Sequence, residues 1–138
     1  MDLDAESRRL RDRVVEELVE LASTADEQRA HLAKTGFPNV ELIAGYLNWS
    51  YDQLIPLLRQ RRAITADATL AANAVGAALL EFDEELATER RERGTMAALS
   101  DDGLRTDPRW ENIRRLARNA LERFADMGVA IPRLADIG

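Results

Sequence analysis

Two runs of acidic side chains are the first residues here whose type and spacing could do chemistry: Glu16, Glu17 and Glu20, and then Glu81, Asp83, Glu84 and Glu85. Glu17 and Glu20 are three residues apart, as are Glu81 and Glu84, which on a helix turns both carboxylates of a pair to one side. Carboxylate oxygens are the ligands magnesium prefers, so two such pairs on neighbouring helices would bind that ion if they met. The helical phase of the second run opposes a meeting. At about 100° per residue, Glu81, Glu84 and Glu85 project opposite an apolar face made by Val75, Leu79, Phe82 and Leu86, and they are expected in water.

The paired acids Glu17 and Glu20 with Glu81 and Glu84 are similar to those of the all-α nucleotide pyrophosphatases, in which carboxylates on adjacent helices bind magnesium against a triphosphate. That resemblance implies a magnesium-dependent pyrophosphohydrolase acting on nucleotides. The two clusters lie far apart in the sequence, and the second pair ends in Glu84 where the family has Asp. The solvated-face reading is the simpler one, so neither a metal nor another cofactor is expected.

His31 is the only histidine. Glu27 lies four residues before it on the same helical face, where the two can share a proton. A di-iron Glu-x-x-His pair would need an acid at Gln28, so a surface histidine near a helix end is expected. The strongest binding candidates are Tyr46, Trp49 and Tyr51, followed by Arg59 and Arg62, because aromatic and arginine side chains dominate interface energetics and irregular helix junctions open pockets. Core filling is the plainer role for Tyr46 or Trp49 taken singly. Asn73, in a stretch of small residues, would need buried partners and would fix helix register.

The elements that must position these groups are helical. Leu10, Val14, Leu18, Leu21, Ala25 and Leu32 recur at a helical period, predicting one long helix over 4–34 with a wide apolar arc. Gly36 and Pro38 predict a stop and a restart, and Ser50 with Gln53 has the spacing of a capping box, so the second helix is expected to kink or break near Ser50, upstream of Pro56. A third helix over about 65–93 is apolar nearly all round in its first half, as a central helix would be. Residues 94–106 read as a loop. Asp107 and Pro108 then open a last helix, whose inner stripe includes Trp110, Ile113, Ala117 and Phe124 and which ends at Gly128. The expectation is an all-α antiparallel bundle of about four main helices in a single domain over 1–138, with an irregular tail from about 129.

Composition narrows the function classes. With no cysteine among 138 residues, disulfides, thiolate metal sites and cysteine nucleophiles are excluded. A net charge of -6 opposes nucleic acid and anionic lipid as partners. No apolar run is long enough to span a bilayer and the start is charged, so a cytoplasmic protein is expected. Of 19 basic residues only Lys34 is lysine, a usage that suits a GC-rich bacterial genome. The leading expectation is a non-enzymatic protein–protein interaction or regulatory bundle, a homodimer joined through the wide apolar arc of its first helix, with itself or another protein as partner. The alternatives are the nucleotide pyrophosphohydrolase and a small-molecule sensor with its pocket at the Trp49 junction.

Overall fold

Five side-chain caps set the helix starts. Asp4 accepts from the Ser7 amide and opens α1 (Ala5–Ala22), and Thr24 accepts from the Glu27 amide and opens α2 (Ala25–Thr35). Thr65 does the same for α5 (Ala66–Arg93), Ser100 for α6 (Asp101–Thr106) and Asp107 for α7 (Pro108–Asp126). Each cap satisfies an amide that the first helical turn leaves without a partner. Gly36 and Gly94 end α2 and α5 at φ 74° and 73°, a left-handed conformation that costs other residues a clash at Cβ.

The computed structural model describes residues 3–137, and no strand occurs among them. The chain is all-α. Its bundle consists of α1, a continuous helical rod over 41–60, α5 and α7, with α5 and α1 both packed against α7 and the rod against α1 and α5.

The first helix is shorter than its periodicity suggests. Ser23 and Thr24 are extended (ψ 165° and 161°), because the Thr24 hydroxyl and the Glu27 carboxylate form a capping box that starts a new helix. Fully buried Gln28 fastens this corner. Its amide nitrogen donates to the Glu20 and Leu21 carbonyls at the end of α1 (3.0 and 3.1 Å), and its oxygen accepts from Arg114 on α7 (3.0 Å). Arg114 also donates to the Leu104 carbonyl, so one amide and one guanidinium tie together α1, α2, α6 and α7. The apolar arc of α1 is covered within the chain: Val14, Val15, Leu18, Val19 and Leu21 are all buried.

The interruption expected near Ser50 is a change of winding rather than a break. The rod runs from α3 (Glu41–Gly45) through a π-helical segment, Tyr46–Leu54, into α4 (Ile55–Gln60), with right-handed helical angles at both junctions. The Ile55 amide reaches back five residues to the Ser50 carbonyl. This wider turn carries Pro56 at the start of α4, where a tight α turn would drive its ring against the preceding carbonyls. The Ser50–Gln53 capping box does not form. Ser50 donates instead to Glu17 at 2.7 Å, and Gln53 donates to the Asn48 carbonyl.

Helix α5 is not the enclosed centre its composition predicts. It buries one side, with Ala68, Ala72, Val75, Leu79, Phe82 and Leu86, and leaves Leu70 and Leu80 exposed and Asn73 only half-buried. The 94–106 stretch is also more ordered than a loop, because it forms a 3-10 turn at Ala97–Leu99 and then α6. Gly103 permits this packing: a Cβ there would stand 2.0 Å from the Ala97 carbonyl oxygen. On α7 the inner stripe is as the spacing predicts, with Trp110, Ile113, Ala117, Ala120 and Phe124 buried and the Trp110 indole donating to the Ala98 carbonyl.

The Gln28 corner is testable. Gln28→Leu leaves the Arg114 guanidinium and two α1 carbonyls short of partners in the interior, and is expected to cost about 2–4 kcal/mol in urea unfolding; Arg114→Met in the same background should recover part of that loss.

Candidate functional site

Helix α1 turns Glu17 and Glu20 toward the rod, α2 brings His31 and the corner after it Phe37, and the rod supplies Glu41 and Trp49. These six side chains line a surface cleft of about 200 Å³. Glu41, Gly45 and Trp49 follow at steps of four, so one face of the rod presents an acid, a gap and an aromatic ring in order. A Cβ at Gly45 would lie 3.5 Å from Glu41 Oε1 and 3.6 Å from Glu17 Oε2, ordinary contact distances, so both carboxylates border this stretch of backbone.

The electrostatics of the cleft follow from burial. Glu17 has its side chain 16% exposed, and desolvation raises its pKa to about 7 against the opposing hydrogen bond from Ser50 and the charge of Arg13, 3.8 Å away. Burial, aided by the negative charge of Glu41, also raises Glu20 to about 7. His31 Nε2 lies 2.9 Å from Glu20 Oε2, and desolvation and then Lys34 lower the imidazole pKa. With the acid pushed up and the base pushed down, the Glu20–His31 contact favours a neutral carboxyl donating to a neutral imidazole over an ion pair. The cleft therefore combines groups that exchange protons near pH 7 with two half-exposed aromatic rings, Trp49 at 50% and Phe37 at 51%.

The structure separates several residues that the sequence associates. Tyr46 is a core residue, 1% exposed, with its hydroxyl donating to the Ala72 carbonyl at 2.8 Å, and burial holds its pKa well above the ordinary value. Tyr51 packs its ring on Gly76 of α5, and Arg59 and Arg62 are exposed beyond the cleft, so only Trp49 of those five lines it. Glu81 and Glu84 lie on the exposed side of α5 and do not meet Glu17 and Glu20. Their place opposite α1 is taken by Glu41, which the sequence reading passed over. His31 pairs with Glu20 and not with Glu27, whose carboxylate is spent on the Thr24 cap. The Glu41-Gly45-Trp49 spacing was the available signal for this site.

Among the described residues no group of three or more His, Cys, Asp or Glu side chains is arranged to hold a metal ion. No protein-family model, no curated protein and no solved structure matches the chain.

The raised pKa of Glu17 has a definite sign in stability. The unfolded chain loses this proton near the ordinary glutamate value of 4.5 and the native state near 7, so the native state holds more protons between these values and stability falls as pH rises through that window. Glu17→Gln removes the penalty while keeping an acceptor for Ser50. At pH 8 the variant is expected to be more stable than the parent by on the order of 1 kcal/mol, and at pH 4 to show no such gain, by thermal unfolding at each pH.

Proposed function

We propose that this chain is a small-molecule-binding domain, a sensor and not a catalyst, and that its ligand is a small organic cation of the amine or ammonium class. The observation that carries this reading is the placement of half-exposed Trp49 and Phe37 at one cleft with Glu17, Glu20 and Glu41. Carboxylates neutralise an ammonium group, and aromatic faces attract it through their quadrupoles. Among the described residues Arg13 and His31 are the only basic side chains at the cleft, fewer than its four acids, Glu16 included.

The nucleotide pyrophosphohydrolase reading has less support. Two of its four acids, Glu81 and Glu84, are away from the cleft, and a triphosphate would meet the net negative charge of that cleft. Magnesium and nucleoside triphosphates belong in the same titration as controls.

Calorimetry with putrescine, spermidine and choline at pH 8 is expected to show saturable binding accompanied by a change in Trp49 emission, with Trp110, 0% exposed, as the silent reference in Trp49→Phe. Affinity should rise with pH toward 7, by up to roughly tenfold per unit for each proton released, because the cation binds ionised Glu17 and Glu20. Glu41→Gln should weaken binding without unfolding the protein. Amines that leave both heat and emission unchanged, or an affinity that falls as pH rises, would refute the reading.

A further inference from the structure

Helix α5, 28 residues long, turns a second apolar face away from the bundle. Leu70, Asn73, Ala77, Leu80, Glu84 and Ala87 recur at alternating steps of three and four, the spacing of a coiled-coil seam, and Ala66 and Arg91 extend the stripe at its ends. All of these except half-buried Asn73 are exposed, Leu70 by 71% and Leu80 by 42%. The stripe lies opposite Ala72, Val75, Leu79, Phe82 and Leu86, which are buried in the bundle. A solvated helix face has no need of leucine at these steps.

The stripe is complementary to itself when read backwards. In an antiparallel pair of α5 helices whose centre lies between residues 78 and 79, Leu70 stands level with Ala87 of a second copy and Leu80 with its Ala77, large against small each time. The Asn73 amide stands level with the Glu84 carboxylate, a polar layer that can hydrogen-bond across the seam. Arg91, at the end of the stripe, comes level with Ala66 and so beside Asp67, exposed at the first turn of the second copy. A parallel pair would instead set Leu70 against Leu70, Glu84 against Glu84 and Arg91 against Arg91. Charge and volume thus favour one orientation.

A socket lies where this arrangement requires one. Beside Ala87 is a groove of about 570 Å³ whose apolar wall is Val40, Leu86, Met96 and Leu99 and whose rim carries Asp83, Arg90 and Arg91. In the antiparallel pair the side chain of Leu70 from the second copy falls at its mouth. Two-fold symmetry repeats the contact, so a single leucine and a single groove are used twice.

We propose that two copies of this chain associate through α5 in an antiparallel pair, with Leu70 of each seated in the groove beside Ala87 of the other. This face shares no residue with the Trp49 cleft, so it stands independently of the ligand reading.

Sedimentation or light scattering from about 1 to 500 μM is expected to show a monomer–dimer equilibrium, within the affinity range open to interfaces of modest size. Leu70→Glu should weaken the dimer roughly a hundredfold, since each substitution is felt at two symmetric contacts. Leu80→Glu should act in the same direction, and both variants should keep their helicity because the sites are exposed. Orientation is read by cross-linking, which a cysteine-free chain allows with no background. Under mild oxidation a mixture of Asn73→Cys and Glu84→Cys copies should form a disulfide-linked heterodimer, and neither copy should cross-link with itself. A monomer throughout the range, a dimer indifferent to both glutamate substitutions, or self-cross-linking of Asn73→Cys would each overturn the proposal.

Discussion

The contact on which the arrangement rests is the one between Tyr51 and Gly76. A Cβ at position 76 would lie 2.0 Å from Tyr51 Cδ1, so the ring sits directly on the backbone of α5 in a space that any side chain would occupy. That contact, with the Tyr46 hydroxyl on the Ala72 carbonyl nearby, holds the π-helical segment against α5 along its length. A π segment gives up the close packing of an α turn and persists where neighbouring structure holds it. Here the neighbour is a helix whose small residues permit the approach.

Several features follow from that seat. The widened turn lets the rod continue past Pro56, which keeps Glu41, Gly45 and Trp49 on one straight face. It also delivers Ser50 to Glu17 at 2.7 Å, so a residue spaced as a helix cap becomes the hydrogen-bond donor to a half-buried carboxylate. The cleft is thus a product of helix winding as much as of its acids. The rod and α7 both pack on the side of α5 that carries Ala72, Val75, Leu79 and Phe82, so its opposite stripe is left in solvent.

The polar interior is organised by the same economy. Gln28 and Arg114 satisfy helix-end carbonyls at the α1–α2 corner and the end of α6. Arg109, held by Asp107, Glu85 and Glu89 and stacked 4.7 Å above the Phe82 ring, fastens the start of α7 to α5. In the cleft, by contrast, burial raises the pKa of Glu17 and Glu20.

By itself the sequence determined what is local. Helical period, the Asp107 and Thr65 neighbourhoods and the glycines at 36, 94 and 128 are short-range signals, so the all-α class, most helix limits and the buried stripe of α7 could be read directly. The Thr24–Glu27 capping box was equally local, but an apolar period that runs on through Ala25 and Leu32 concealed it. Only tertiary structure decided which groups meet across the chain. Glu41 rather than Glu84 faces Glu17 and Glu20, and His31 pairs with Glu20 rather than Glu27. Tyr46 enters the core while Trp49 stays at the surface. Spacing fixes the phase of a side chain on its own helix, whereas the rotation and distance of one helix against another depend on packing volumes and close contacts such as Tyr51 on Gly76, which no single segment encodes.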